Sequence, residues 1–446
     1  MPDEQLQPIL STSSPEPNAM SPQPGPVSQT LRRVEQAVLG AFEDERILAD
    51  LRELVRIPSV DGTAAENDVQ VWAAQRLREL GLSVDHWRID LDELKADPEF
   101  PGMEVERSQA WGVVGTLGPD GVPGLILNGH LDVVPPGDLA LWPGGDPFEP
   151  VVADGILYGR GSCDMKGGVA AILGAVHAIA AAGIELARPI AVHTVVGEED
   201  GGVGTFATLR RGHRGDACLI AEPTAGRVIP ANSGSLTFRL EVSGLATHGS
   251  TRTRGVSAID AFERVNAALR ELETARNADP HPLLAHLDLA NPLSVGLIRA
   301  GDWASTVPDS LITEGRYGVR LGEDVAAAKK AFEAAVASVD DEWLRKNPVK
   351  VTWPGGIFAS GALADGHPLL GETLAAAVDA GVAEPEVRGG PYGSDLRHYT
   401  AAGIPTLQYG PGDVRYAHAV DEHVRLAEVL HCARAYALLA VRRCAA

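Results

Sequence analysis

Helical spacing and short apolar runs alternate along the part of the chain that follows residue 28. Apolar positions at helical spacing predict one helix over residues 30–56 and another over 65–80, which ends at Gly81. Four runs rich in Val, Ile and Leu come next, with an Ala-rich helix over 169–182 between the second and the third: WGVVGTL, GLILNGH, PIAVHTVV and ACLIAE. Such alternation indicates an α/β domain with a largely parallel sheet, in which the Ala-rich helix is buried.

The pattern changes near residue 235, where LTFRLEVSG alternates between apolar and polar residues like an antiparallel strand. A helix, two strands, a second helix and the strand VKVTW follow, the first four at about 256–276, 293–299, 310–321 and 324–339. The order β-α-β-β-α-β is that of a ferredoxin-like sandwich. We therefore predict a disordered leader over 1–28, a catalytic α/β domain over 30–234 and 355–446, and an inserted domain over 235–354.

Composition and charge narrow the classes of function. The 446 residues carry 38 Lys and Arg against 60 Asp and Glu, and the formal net charge of −22 disfavours nucleic acid and anionic membranes as partners. No apolar stretch approaches the roughly 20 residues that span a bilayer, and the leader lacks the basic start and apolar run of a signal peptide. The four cysteines form no CxxC pair, which predicts reduced thiols. Together these features predict a cytoplasmic protein.

A histidine and three glutamates stand where the predicted strands end. His130 follows GLILNG, Glu198 and Glu199 follow PIAVHTVVG, and Glu222 follows ACLIA. Because the carboxyl ends of parallel strands share one edge of a sheet, we expect these side chains to lie close together. Taken singly, each has an ordinary alternative, which is a structural histidine or a solvated acidic turn.

Two further candidates lie outside the strand ends. Asp164 stands in GRGSCDMKGG before a helical run, and its ordinary alternative role is that of a helix N-cap. His418 stands in YAH, and its ordinary alternative is a surface histidine. Two histidines and three carboxylates suit a pair of borderline divalent ions with one bridging carboxylate, and the full set is His130, Asp164, Glu199, Glu222 and His418. Asp132 can orient the nearby imidazole, and the spare Glu198 can act as a general base.

A different class of protein competes for part of this pattern. Residues 202–207 fit the GxGxxA fingerprint of dinucleotide-binding proteins, and Glu222 lies 20 residues after Gly202. Three acidic residues just before these glycines would repel a pyrophosphate, however, and the two histidines would be left unexplained. A binding protein that keeps the metals without catalysis is a further alternative, against which the intact Glu198 argues.

The chain resembles the M20 metallopeptidase family in five segments that occur in the family's order: HxD at 130–132, GRGxxDMKGG at 159–168, GEED at 197–200, AEPT at 221–224 and AH at 417–418. Within that family it is similar to the acetylornithine deacetylase and succinyl-diaminopimelate desuccinylase branch. The resemblance covers the chain from about residue 45 to its end. It implies a zinc-peptidase-like three-layer α/β catalytic domain with an inserted ferredoxin-like lid and dimerisation domain.

The resemblance also implies a role for each residue of the centre. One ion would be bound by His130, Asp164 and Glu222, and the other by Asp164, Glu199 and His418. In addition, Asp132 would orient His130, Glu198 would be the general base, and the Asp164–Met165 peptide bond would be cis.

Three residues outside the centre acquire expected roles in the same way. His248, which ends a GxxxH motif, would reach across a homodimer to stabilise the oxyanion. Ser394 and Arg397 would contact a substrate carboxylate, which the planar guanidinium fork suits. The chain departs from its relatives at two places: Ser305 replaces a common Asn, and residues 316–318, Arg-Tyr-Gly, replace the usual Asp-x-Arg. These positions shape the substrate pocket in relatives.

The function expected from the sequence is that of a dinuclear metal-dependent amide hydrolase. Its substrate would be an N-acyl amino acid, acetylornithine-like or succinyl-diaminopimelate-like, attacked by a water that bridges two zinc ions, with cobalt or manganese as alternative metals. The alternatives within hydrolases are a metallo-carboxypeptidase, a dipeptidase or a deformylase of a heterocyclic amide.

Overall fold

The computed structural model describes residues 29–446, so the predicted leader lies outside the described residues. The helices are α1 Gln29–Gly40, α2 Asp44–Arg56, α3 Ala64–Glu79, α4 Leu91–Ala96, α5 Gly167–Ala181, α6 Val203–Arg210, α7 Ala258–Asn277, α8 Val325–Ala337, α9 Glu342–Lys346, α10 Pro368–Asp379, α11 Leu396–Ala401 and α12 Leu426–Cys444. The strands are β1 Ser83–Arg88, β2 Trp111–Leu117, β3 Leu125–His130, β4 Val151–Ala153, β5 Ile156–Tyr158, β6 Ile190–Val195, β7 Cys218–Ile220, β8 Ala231–Asn232, β9 Gly234–Ser243, β10 Leu293–Ala300, β11 Ser310–Val319, β12 Lys350–Thr352, β13 Ile357–Phe358, β14 Gly361–Ala362, β15 Thr406–Gln408 and β16 His423–Arg425.

The central sheet has six strands in the order β1-β2-β6-β3-β7-β15. Its four strands from β6 to β15 are parallel, whereas β2 runs antiparallel to both of its neighbours. β3, β6 and β7 are buried along their whole length, as expected for strands covered on both faces. The prediction of a largely parallel sheet is confirmed.

Helices cover both faces of this sheet. α5 packs on the face that carries Gly129 of β3, where an added Cβ would meet a methyl group of Val169 at 2.7 Å, so the close approach requires glycine. On the opposite face, the hydroxyl of Tyr399 in α11 lies 3.0 Å from Asn128 Oδ1 and 2.9 Å from His193 Nδ1. The arrangement is the three-layer α/β domain that the resemblance implies.

The helix predicted over 30–56 is wrong as a single element, because the chain turns between α1 and α2. Gly40 ends α1, and α2 begins with Asp44 and Glu45, whose charges suit a helix N-terminus. The break lets α1 pack on α12 while α2 packs on α5. The Ala-rich helix is buried as predicted. Residues 162–181 are long and apolar enough to cross a membrane, but 83% of the 18-residue window that meets this criterion is buried inside the protein.

A second sheet, in the order β10-β11-β9-β12, is antiparallel throughout, and β13 also pairs with β9. This is the strand order of a ferredoxin-like sandwich, with α7 and α8 packed on one another and α7 on the sheet. Phe238, Tyr317 and Phe332 are buried in a core of its own. The predicted inserted fold is confirmed, while the exact domain boundaries stay a prediction. The chain enters and leaves the inserted fold side by side, next to β8 and β14, which pair as a separate two-stranded sheet.

Candidate metal centre

Neighbouring strands of the central sheet bring four of the predicted residues to one edge. His130 is the last residue of β3 and pairs in register with the last residue of β6. Glu198 and Glu199 follow that strand end by three and four residues. On the other side β7 ends at Ile220, which pairs with Asn128, so Glu222 comes level with His130. We expected these side chains to meet because their strands are adjacent and parallel.

Asp164 lies between the two predicted histidines. It belongs to the turn Ser162–Lys166 before α5, and its peptide bond to Met165 is cis, as the resemblance implied. Its Oδ1 lies 3.0 Å from Nε2 of His130, and its Oδ2 lies 3.7 Å from Nε2 of His418. The two oxygens of one carboxylate therefore face two different imidazoles.

The remaining two carboxylates complete the cluster on either side. Nε2 of His418 lies 3.1 Å from both oxygens of Glu199, and Nε2 of His130 lies 3.9 Å from Oε2 of Glu222. The backbone of His418 adopts a left-handed conformation with φ of 62°, which is uncommon outside glycine and indicates a functional constraint.

Asp132 acts on its neighbours through two different groups. Its backbone carbonyl accepts a hydrogen bond from Nδ1 of His130 at 3.0 Å, which leaves Nε2 free to face the cluster. Its carboxylate Oδ2 accepts the backbone N–H of Glu199 at 3.2 Å, and its Oδ1 lies 3.7 Å from Nδ1. The residue thus orients the imidazole mainly by its carbonyl and holds the turn that carries Glu199.

The turn that carries Asp164 is held by hydrogen bonds to a buried carboxylate, for which the sequence predicted no role. Glu422 is fully buried, and it accepts hydrogen bonds from the backbone N–H groups of Gly161 at 2.9 Å, Cys163 at 3.0 Å and Asp164 at 3.0 Å, and from Arg160 Nη1 at 2.6 Å. Because His418 precedes Glu422 by four residues, this contact ties the loop of His418 to the turn of Asp164. The His-x-x-x-Glu spacing was the only signal.

The cluster is strongly electronegative. Burial, and then the charge of Glu222, raises the pKa of Glu198 well above its ordinary value; burial, and then Asp164, does the same to the pKa of Glu222. The hydrogen bond with Glu199 raises the pKa of His418 to about 9. Glu198 Oε1 and Asp132 Oδ1 are buried without a hydrogen-bond partner in the part of the chain that the structure describes.

This donor set fits divalent metal. Two groups have ligand atoms that all lie within 4.8 Å of one another: His130, Glu198 and Glu222, and His130, Asp164 and Glu199. Imidazole and carboxylate are the ligands that borderline ions such as zinc accept. A cation would also offset the repulsion between carboxylates that burial otherwise makes costly.

A cavity of about 550 Å³ opens over the cluster, between the two sheets. The cluster contributes Asp164, Glu198, Glu199, Glu222 and His418; other loops add Glu104, Tyr392 and Ser394; and the second sheet adds Ser235, Thr237, Glu314 and Arg316. A small molecule can therefore contact both the proposed metal ligands and the inserted domain.

Of the two residues expected to bind a substrate carboxylate, only Ser394 lines the cavity. Arg397 is buried behind it: Nη1 donates to the carbonyl of Ser394 and Nη2 to the carbonyl of Gly201, both at 2.7 Å, and the guanidinium lies 4.1 Å from the ring centroid of Phe358. The geometry does not match the substrate-binding role expected for Arg397, because its guanidinium group already donates hydrogen bonds to two backbone carbonyls. It braces the loop that follows Glu198.

His248 lies apart from the cluster within one chain. It is exposed at the start of a short 3-10 helix, where Nδ1 lies 2.8 Å from Oγ of Ser250, and it does not line the cavity. Its expected action from a partner subunit stays a prediction.

The glycines of the dinucleotide-like fingerprint pack against protein. An added Cβ at Gly202 would meet His398 Nε2 at 2.4 Å, and one at Gly204 would meet the backbone of Val196 at 2.4 Å. α6, which begins there, is buried over residues 203–209, and Thr205 donates to Asp395. No space is left at this helix start for a pyrophosphate.

The fold and the donor set define a metal-dependent hydrolase with a catalytic domain and a lid. The family model for peptidase family M20/M25/M40 matches residues 126–442. The chain belongs to this family, and it is an enzyme that acts on amide bonds. The resemblance stated from the motifs is confirmed.

Two curated relatives and two solved structures place the chain within the family. It is 31% identical to an N-formyl-4-amino-5-aminomethyl-2-methylpyrimidine deformylase from Bacillus subtilis, over 81% of this chain and 86% of the relative. It is 30% identical to a succinyl-diaminopimelate desuccinylase from Stenotrophomonas maltophilia, over 84% of this chain and 93% of the relative. A tripeptidase from Staphylococcus aureus superposes with a TM-score of 0.68 at 21% identity, covering 90% of this chain and 98% of that chain. A dinuclear metal-binding M20 peptidase from Bacillus subtilis superposes with a TM-score of 0.60 at 16% identity, covering 90% of this chain and 98% of that chain.

Proposed function

We propose that the chain is a dinuclear metal-dependent deacylase that hydrolyses the amide bond of an N-acyl amino acid. The position of Asp164 carries the proposal, because its two oxygens face the Nε2 atoms of His130 and His418 at 3.0 and 3.7 Å. A carboxylate placed in this way supports a bridging role between two ions.

One ion would be held by His130, Asp164 and Glu222 and the other by Asp164, Glu199 and His418. We propose zinc, with cobalt or manganese as alternatives, because the donors are imidazole nitrogens and carboxylate oxygens. Such ions, when bound, would acidify a water and polarise the amide carbonyl.

Glu198 is the proposed general base. Its carboxylate lines the cavity beside the ligands, and its Oε1 has no hydrogen-bond partner in the described residues, so it is free to take a proton from the attacking water. Burial raises the pKa of Glu198, and a carboxyl group with a raised pKa can also deliver the proton to the leaving amine. His248 of the partner subunit would stabilise the oxyanion.

Glu198→Gln tests the assignment, with the exposed Glu342→Gln as a control for loss of one charge. We expect Glu198→Gln to keep both ions, measured by mass spectrometry of the metal content, while kcat falls about 10²–10⁴-fold. Loss of one ion from Glu198→Gln would instead indicate that Glu198 is a metal ligand. Turnover close to that of the unchanged chain would refute the base assignment.

The substrate is the open part of the proposal. The similarity to the Bacillus subtilis deformylase supports a heterocyclic formamide as the second candidate, and peptides are the third, as substrates of a carboxypeptidase or dipeptidase. A panel decides between them: N-acetylornithine, N-succinyl-diaminopimelate, the N-formyl aminomethylpyrimidine and dipeptides, each with added zinc or cobalt. Turnover of none of these amides would contradict the proposed function.

A homodimer in the cytoplasm completes the proposal. The inserted domain presents Ile298 and Trp303, which are 54% and 72% exposed, as apolar surface for a second copy. All four cysteines are buried and unbridged, which supports a reducing compartment.

A further inference from the structure

The loop over residues 389–394 brings a tyrosine to the cavity. The half-buried Tyr392 lines the cavity together with three carboxylates of the cluster: Asp164, Glu198 and Glu222. Its hydroxyl donates no hydrogen bond to any residue between 29 and 446. A phenolic O–H therefore faces the proposed metal centre with its proton unused by the protein.

The loop is tightly held on the carboxyl side of Tyr392. Nη1 of Arg397 donates to the carbonyl of Ser394 at 2.7 Å, and its guanidinium lies 4.1 Å from the ring centroid of Phe358. An added Cβ at Gly393 would meet the Cβ of Phe358 at 2.5 Å, so the loop can pack this closely only with glycine at that position. The backbone that follows the tyrosine is thus fixed by packing and by a buried guanidinium.

The amino side of the loop is held by the strand that leads into the inserted domain. The N–H of Gly390 donates to the carbonyl of Ala231, and the N–H of Ser233 donates to the carbonyl of Gly390, both at 2.9 Å. An added Cβ at Gly390 would meet Nδ2 of Asn232 at 2.4 Å and Cζ of Tyr392 at 3.0 Å. The carbon that bears the hydroxyl therefore lies against this glycine, next to a buried amide whose Nδ2 has no hydrogen-bond partner in the described residues.

The hydroxyl is a hydrogen-bond donor in electronegative surroundings. A phenol is protonated at neutral pH, and burial, followed by the charges of three carboxylates, raises the pKa of Tyr392 further: Glu222, Asp164 and Glu198. The nearby amide of Asn232, although not placed for a well-formed hydrogen bond, offsets this effect only in part. The proton of the phenol is therefore available to an acceptor on a ligand in the cavity.

We propose that Tyr392 is a catalytic residue whose hydroxyl donates a hydrogen bond to the carbonyl oxygen of the scissile amide. The proposal rests on the proposed function, because it concerns the same cavity. Negative charge develops on that oxygen during attack, so the hydrogen bond strengthens in the transition state and lowers the barrier. The donor comes from the same chain as the metal ligands, and it acts in addition to His248 of the partner subunit.

Methylphosphonate is the probe, because its tetrahedral anionic oxygens resemble those that develop at the amide carbon. It is titrated calorimetrically into the zinc-loaded protein, which reads binding without turnover. Tyr392→Phe removes the hydroxyl and keeps the ring. We expect this variant to bind methylphosphonate about 10- to 100-fold more weakly, because a hydrogen bond to a charged group contributes on that scale.

Tyr158→Phe is the matched control. It removes a hydroxyl that likewise makes no hydrogen bond in the described residues, from a half-buried tyrosine of β5 that does not line the cavity. We expect the control to keep the affinity of the parent, and both variants to keep its zinc content and thermal midpoint. Loss of zinc from Tyr392→Phe would make this residue a support of the metal ligands and overturn the proposal, as would an unchanged affinity for methylphosphonate or no measurable binding by the parent.

Turnover is read separately. On an amide of the panel that the parent hydrolyses, we expect Tyr392→Phe to lower kcat about 10²–10³-fold with little change in KM, as for loss of one oxyanion donor. Binding of methylphosphonate that depends on Tyr392, without hydrolysis of any amide, would defeat the deacylase assignment and uphold the hydrogen-bond donor. Hydrolysis with a kcat that ignores Tyr392→Phe would do the reverse.

Discussion

Replacing Glu422 with Gln removes the charge that holds the Asp164 turn while the side chain keeps almost the same size. Each oxygen of Glu422 accepts two hydrogen bonds, Oε1 from the N–H groups of Cys163 and Asp164, and Oε2 from the N–H of Gly161 and from Arg160. A glutamine in either orientation turns its NH2 group toward two of these donors. Two buried donors therefore lose their acceptor.

The cost follows from this count. Each buried donor left without an acceptor costs about 1–3 kcal/mol, so the substitution destabilises the folded protein by about 2–6 kcal/mol. The turn can relieve part of that cost by shifting, and a shift moves Asp164 relative to His418. Loss of such a supporting contact lowers metal affinity by about 10–100-fold.

The assay is zinc per chain after dialysis against buffers of defined free zinc, together with the thermal midpoint of the zinc-free protein. Asp421→Asn is the matched control, because it removes one charge from the adjacent, exposed residue. We expect Glu422→Gln to need more zinc for the second ion and to melt earlier, and Asp421→Asn to do neither. If Glu422→Gln fills both positions at the wild-type zinc concentration and melts with the wild type, the reasoning about this carboxylate is wrong.

Two further predictions concern acid stability and subunit cooperation. Burial lowers the pKa of His193 to about 3. Below pH 6.5 this histidine is therefore protonated in the unfolded chain and neutral in the folded chain, so the stability of the fold decreases as the pH falls. From pH 7 to 5 the loss is about 2 kcal/mol. Urea unfolding of the zinc-free protein should show this loss reduced by that amount in His193→Gln, and an equal loss in both proteins would contradict the assignment. Mixing inactive His248→Ala with inactive Glu198→Gln should restore activity at roughly one quarter of the sites of a homodimer, measured after subunit exchange; a mixture as inactive as its components would exclude action of His248 across the interface.

The sequence predicts the fold well where one physical rule dominates. Buried strands read as continuous apolar runs, and their parallel order places His130, Glu199 and Glu222 at one edge. The inserted domain follows from the change to alternating residues near 235. The helix over 30–56 failed because the apolar spacing continues through the turn after Gly40, and only packing against two different helices separates α1 from α2.

The site was predictable as far as its donors lie next to strands or in the family's motifs. The support of the centre was not predictable, because Glu422 meets the turn of Asp164 only through the tertiary fold. Arg397 illustrates the limit most clearly. Its sequence context suggests a substrate contact, yet the choice between a cavity and two backbone carbonyls depends on the position of Gly201, almost two hundred residues away.

The placement of Asp164 bears on how this enzyme responds to its supply of metal. If Asp164 bridges two ions as proposed, it cannot offer its full charge to both, so loading would be stepwise and the second step weaker than the first. Chains with a single ion would accumulate under scarcity, and catalysis would rise steeply only once the weaker step is reached. The activity of the enzyme would then respond to the metal concentration with a threshold.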